Sequence, residues 1–209
     1  MHELWARVTA TQPPLHPVAA LALVGLAFAI TWSPTGHHLA RHLVTVVHEA
    51  AHAVVALLVG RRLSGITLHR DTSGVTVSRG RPRGPGMVAT LAAGYPAPAL
   101  LGLAGAAVLG AGHAAAWLWV LVGLCVAMLP LVRNGYGALV VVGLGGVVGA
   151  LSWWAPGWLV TAAAHVTVWG LLLAAPRAVL SLQEGRSRAR RRGRRGTDDA
   201  DQLAGLTGI

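Results

Sequence analysis

The stretch that decides how this chain is read is Val46-Val47-His48-Glu49-Ala50-Ala51-His52-Ala53-Val54-Val55. It is apolar enough to sit inside a bilayer, yet it holds one carboxylate and two imidazoles. His48 and His52 are four residues apart, so on a helix both rings leave one face, one turn apart, with Glu49 beside them. Charging a carboxylate at the centre of a bilayer costs at least about 2.5–3.5 kcal/mol, so an ionisable group there marks a functional site by default. The spacing is H-E-x-x-H: two neutral imidazoles hold zinc, and the glutamate takes a proton from the metal-bound water. At this chain's His and Glu content, fewer than about one sequence in a hundred would carry the pattern by accident.

The surrounding chain supports a membrane setting. Of 209 residues, 54% are hydrophobic and 11% charged, against about 25% charged in soluble domains. The net charge of +10 would suit a soluble nucleic-acid binder, but such proteins are not this apolar, and no nucleic-acid partner is expected. A bilayer span needs about 20 apolar residues. Six stretches approach that length: 18–32, 38–59, 87–112, 114–132, 136–155 and 158–175. Gly94, Pro96 and Pro98 interrupt the third, a break tolerated only where freed backbone groups find partners. The expected fold is an all-α membrane protein with about six transmembrane helices and a short interfacial β-hairpin after the second. The hairpin is read from the apolar/polar alternation of 64–78 around a Gly-containing turn. A membrane domain over 18–180 then follows a short segment, 1–17, and precedes a polar, disordered, Arg-rich tail, 181–209.

Charge placement gives an orientation. Residues 61–83 hold six arginines against Asp71, a net of +5, and 183–209 hold seven against four acids, a net of +3. Four spans would put both segments on one side, together with Arg133, Arg177 and Arg7, leaving only Arg41 near the other. The positive-inside rule then predicts a multi-pass cell-membrane protein with both termini cytoplasmic. Trp153, Trp154 and Trp158 would form an aromatic belt on the opposite face. The first apolar run follows Pro13, Pro14 and Pro17 and lacks a small-residue cleavage site, so no cleavable signal peptide is expected. Cys125, the single cysteine, reads as a structural thiol inside the fourth span.

The intramembrane H-E-x-x-H, the Arg-flanked hairpin and the Gly94-Tyr95 pair of the third span resemble the M50 family of membrane metallopeptidases. These are site-2-protease relatives, and the resemblance is to the small bacterial M50B-like branch, over roughly residues 40–180. It implies regulated intramembrane proteolysis: hydrolysis of a peptide bond in a membrane-embedded or membrane-adjacent protein. Zn²⁺ would be held by His48, His52 and a third ligand, with Glu49 as general base on the zinc-bound water. The implied partners are the lipid bilayer and a membrane-protein substrate. In that family a hairpin near the site can hold substrate as an added strand; a plain interfacial connector is the alternative.

The family's third ligand is usually an aspartate followed by glycine in a later span. Here the corresponding piece is Arg133-Asn134-Gly135-Tyr136-Gly137, so Asn134 stands where the acid would be, and an amide oxygen is a weaker zinc ligand than a carboxylate. His165, mid-span in the sixth helix, competes for the place, whereas Asp71 sits in a surface turn. Without a third ligand, a non-catalytic protein on the same scaffold, keeping metal or partner binding only, is the alternative. A metal transporter is opposed by the lack of acids in other spans. His37, His38 and His42 cluster at the outer end of the second span, where His38 and His42 would either bind a second metal or be solvated. Gly145-x-x-x-Gly149 permits close helix approach, inside one subunit or between two, so the oligomeric state stays open here. The arginines between 186 and 195 read as an anchor against an anionic leaflet.

Overall fold

The computed structural model describes residues 2–13, 15–191 and 198–208. It is mostly helical: α1 (His2–Thr9), α2 (Pro17–Trp32), α3 (Pro34–Leu58), α4 (Pro85–Ala93), α5 (Ala97–Gly110), α6 (Ala114–Met128), α7 (Gly135–Trp154), α8 (Gly157–Arg191) and α9 (Asp199–Thr207). Proline lies in the first turn of α2, α3, α4 and α5, where its missing N–H costs nothing. Ser33 is extended and caps α3, its Oγ accepting from Gly36 N at 3.0 Å. The chain turns 94° there, between α2 and α3, and 62° at Gly94–Pro96, between α4 and α5.

Those two bends change the span count. Ala114–Leu131, Gly135–Trp154 and Gly157–Glu184 are each long and apolar enough to cross a membrane, and the number rises to five if each bent pair is one span. The six separate spans expected from run length are not obtained. α2 has only 16 residues, and the first half of α3 carries His37, His38, Arg41 and His42, which no bilayer-exposed helix would hold at low cost.

α3 is held between two groups of buried side chains. Val47 faces Trp117, Leu118 and Leu121 of α6 with Val160, Ala164, Val168 and Leu171 of α8. Val46, Ala50 and Ala53 face Ile66 and Leu68 of the hairpin, Cys125 and Met128 of α6, and Val141 of α7. Contacts on both flanks fix the rotation of α3 and so aim residues 48, 49 and 52. Cys125 is a buried free thiol. A Cβ at Gly145 would come within 2.9 Å of Cys125 Cβ, so this end of the Gly145-x-x-x-Gly149 pattern serves the approach of α7 to α6 within the chain.

The hairpin pairs β1 (Arg62–Leu68) with β2 (Gly74–Arg79), antiparallel from Arg62↔Arg79 to Leu68↔Gly74, with an irregularity between Leu63 and Gly65. The outer edge of β1 is covered by 132–134: Arg133 N donates to Ile66 O at 2.9 Å. No strand among the described residues pairs with the other edge of β2. β2 runs along α3. Thr45 Oγ1 donates to Thr72 O at 2.6 Å at the turn, and Arg61 Nε donates to Ser78 Oγ at 2.9 Å at the base. Thr72 takes a positive φ of 68°. Beside it, Asp71 Oδ1 accepts from Ser73 Oγ and N, which holds its carboxyl below the usual carboxylate range.

Arg7 corrects part of the charge reading. Its Nη1 donates to Trp153 O at 2.7 Å, at the α7–α8 turn. Arg177 donates to Thr31 O, at the far end of α2, roughly 30 Å along α8 at 1.5 Å per residue. Arg7 and Arg177 therefore sit at opposite ends of the helix bundle, and Arg41, expected on the side opposite Arg177, lines one cavity with it. The tail also differs from the structureless segment expected: α8 continues to Arg191, and Asp198 caps α9 by accepting from Asp201 N at 2.8 Å. Arg192, Arg194 and Arg195 lie outside the described residues, and so do the side chains of Arg186, Arg188, Arg190 and Arg191.

Candidate metal centre and active site

One turn of α3 sets the His48 and His52 rings edge to face, with centroids 4.5 Å apart and Nε2 atoms 2.9 Å apart. α4 fixes the second ring, since His52 Nδ1 lies 2.6 Å from Thr90 O. That contact makes Nδ1 the protonated nitrogen and turns the Nε2 lone pair outward, the usual way a protein orients a metal-binding histidine. α9 then brings Asp199, whose Oδ2 is 3.1 Å from His48 Nε2 and 3.0 Å from His52 Nε2. Burial works against the charge on Asp199, but the two histidines beside it outweigh burial and hold the carboxyl below its usual range.

Three electron-rich atoms facing one another at about 3 Å require protons or a cation between them. Zinc bonds of about 2.0–2.2 Å would space tetrahedral ligands about 3.3–3.6 Å apart, so the triangle needs to open by only a few tenths of an ångström. Two imidazoles and one carboxylate are also the donor set of catalytic zinc sites that keep a fourth position open. The residues present fit the metal.

Glu49 points from the same helix toward the hairpin. It is 3% exposed, and its Oε2 accepts from Thr76 Oγ1 at 2.6 Å. Glu49 and His48 line a cavity of about 430 Å³ that runs along α3 toward α8. Two glycines let the walls close in. A Cβ on Gly74 would fall 2.6 Å from Glu49 Cγ, and one on Gly94 would fall 2.5 Å from both His48 Cε1 and His52 Nε2.

The family description Peptidase M50B-like matches residues 20–209. The chain belongs to that family. Among curated proteins and solved structures nothing matches. The family match extends past the 40–180 region of the resemblance and takes in α9, the element that carries Asp199.

Within this M50B-like chain, His48, His52 and Glu49 come together, and Asn134 and His165 do not join them. Both polar atoms of the Asn134 amide are taken up by one residue of β1: Oδ1 accepts from Leu68 N at 3.2 Å, and Nδ2 donates to Leu68 O at 2.7 Å. Asn134 thus works as a strand partner that ties β1 to the start of α7. His165 lines a different cavity, with Thr11, Gln12 and Thr161, and its Nδ1 lies 2.8 Å from Thr161 O. His42 Nδ1 and Nε2 face His38 O and Tyr136 OH, at 2.6 and 2.8 Å, so neither ring nitrogen of His42 is open for a second metal.

Sequence reasoning missed Asp199, Thr76 and Thr90, and read Gly94 as a break in the third span and part of the family resemblance without its contact to the histidines. A signal for the first existed. Asp198 followed by Asp199 and Asp201, then Leu203, Leu206 and Gly208, is an acidic helix start with a glycine stop. The neighbouring arginine run drew the reading toward disorder. Gly94 offers a direct test. Gly94→Ala must push two restrained imidazoles apart, so zinc affinity is expected to fall by about 10–100-fold, the range seen when the support of a metal ligand is disturbed. Competition against a zinc-binding dye checks this, and unchanged affinity would show that the α4–α5 break does not touch the metal.

Proposed function

We propose that this M50B-like protein is an intramembrane zinc metallopeptidase that hydrolyses a peptide bond of a membrane-embedded or membrane-adjacent protein. The observation that carries the reading is the convergence of His48, His52 and Asp199 on one point, with a buried Glu49 on the same helix as the histidines and lining a cavity together with His48. Zinc bound there would supply a Lewis acid that acidifies water and polarises the scissile carbonyl.

The chain's own groups divide the remaining work. Glu49 Oε1 and Oε2 take the proton of the attacking water and return it to the leaving amine. Thr76, donating to Oε2, holds that carboxylate in one rotamer. The unpaired edge of β2 begins at Gly74, against Glu49, and a substrate segment added as a strand there would run past the base. The sequence argument for a non-catalytic scaffold was the missing acid, and Asp199 stands in that place.

For orientation, the reading is five spans with the hairpin, Arg133 and Arg177 at the cytoplasmic end, as arginine placement favours. Arg7, at the opposite end of the bundle, then lies on the other side of the membrane.

Metal removal is the test. The full chain in nanodiscs, given a mixture of single-span membrane segments tagged at both ends, should cleave with one bound zinc. It should stop with a strong chelator and recover on addition of zinc but not magnesium. Cleavage that persists in chelator, or a purified chain that binds no zinc, would overturn the reading.

A further inference from the structure

The cavity that holds Glu49 does not end at the histidines. Seven residues of α3 line it, among them the i,i+4 row His37, Arg41, Thr45 and Glu49, so it follows one helix face for three turns. At the end remote from Glu49, Arg41 on α3 is joined by Arg177 on α8. Neither arginine forms a salt bridge among the described residues. Arg177 is fixed in place: Nη1 donates to Thr31 O at 2.7 Å, and the guanidinium lies 5.5 Å over the Trp32 ring. One of its five N–H donors is used there, and the others have no partner among the described residues. Thr31 lines the same cavity, is 1% exposed, and its Oγ1 has no hydrogen-bond partner among the described residues. Asp198 also lines the cavity, but it precedes Asp199 and enters with α9 at the histidine end.

Two guanidiniums and an unpartnered buried hydroxyl around one space call for an anion with several acceptor oxygens. A carboxylate takes paired N–H donors from arginine in a fork and accepts a hydroxyl proton as well. Arg41 and Glu49 are eight residues apart on one helix, a rise of roughly 12 Å. An extended peptide covers that distance in about three to four residues at 3.3 Å each.

We propose that Arg41, Arg177 and Thr31 form a substrate subsite for a carboxylate about three to four residues from the scissile bond, so that the protein selects acidic or carboxyl-terminal peptide segments. The inference rests on the peptidase reading for its ligand, a peptide, and on the cavity for its chemistry. The carboxylate has two possible sources, an Asp or Glu side chain or a free C-terminus.

Binding and cleavage test it separately. Full-length Glu49→Gln protein, loaded with zinc in neutral phosphatidylcholine nanodiscs, is titrated with fluorescent peptides that differ in one Glu or Gln placed at successive positions. Each peptide is made as the free acid and as the carboxamide. A correctly placed carboxylate should tighten binding about tenfold or more, the effect of a charge-assisted hydrogen bond. The gain should vanish when Arg41→Gln or Arg177→Gln is added. A gain from internal Glu in carboxamide peptides identifies a side chain as the source, and a gain confined to free acids identifies the C-terminus. Equal binding of Glu and Gln peptides, or a preference that survives both arginine variants, would overturn the subsite. Arg177→Gln also loosens the α2–α8 contact at Thr31, so Arg41→Gln, which breaks no hydrogen bond or ion pair among the described residues, carries the test if Arg177→Gln misfolds. A carboxylate preference in a chain whose wild type cuts nothing would uphold the subsite and sink the peptidase reading. Cleavage by wild type with no acidic preference near the cut would do the reverse.

Discussion

Glu49→Gln is expected to keep zinc and to lose cleavage by about 10²–10⁴-fold, the usual contribution of a positioned general base. The substitution preserves shape, and a carboxamide oxygen can still accept from Thr76 Oγ1, now 2.6 Å from Glu49 Oε2. It removes the group that takes the proton and leaves His48, His52 and Asp199 untouched. Folding should not suffer, since an amide in this apolar site is cheaper to bury than a carboxylate. His48→Ala makes the contrast, because it removes a metal donor and should lose zinc and cleavage together. The measurement is zinc per chain by elemental analysis alongside initial cleavage rates, both in nanodiscs. A Glu49→Gln protein that cuts at the wild-type rate would remove Glu49 from the chemistry, and one that loses zinc would place it among the ligands.

How much of this was legible in the sequence depends on how local each feature is. The His48–Glu49–His52 arrangement is a property of one helix, and i,i+4 geometry follows from any helical reading. The hairpin was legible for the same reason, since alternation over 64–78 is a local signal. Span number was not. It turns on a 94° bend at Ser33-Pro34, and a serine–proline pair reads equally well as a loop between two spans or as the cap of a helix that folds back. Asn134 misled because chain position stood in for partnership; its amide pairs with Leu68, 66 residues earlier, and no periodicity reports such a contact. Asp199 belongs to the same class. Its meeting with His48 spans 151 residues and depends on α9 packing against α4, which only a tertiary fold can show. The residues that surround the helical motif, Thr76, Thr90 and Gly94, are likewise set by which strand and which bend lie against α3.

The identity of the third donor yields the other large effect. Asp199→Ala should lower zinc affinity by at least about a hundredfold, since disturbing even the support of a ligand costs 10–100-fold and here the donor itself goes. Cleavage should fall with it, and zinc in excess should restore part of the activity, which it could not do for Glu49→Gln. Asn134→Ala should behave in the opposite way. It breaks two hydrogen bonds to the Leu68 backbone, each worth about 0.5–1.5 kcal/mol net. The hairpin should loosen and Tm should drop while zinc affinity in the folded protein stays as in wild type. His165→Ala, in a separate cavity with Thr11 and Gln12, should leave zinc unchanged. Dye competition for affinity and thermal melts for stability, run on the three variants together, separate a donor from a strand partner and from a distant helix contact. Wild-type zinc affinity in Asp199→Ala combined with its loss in Asn134→Ala would return the third position to Asn134, and would mean that α9 leaves the histidines when zinc binds.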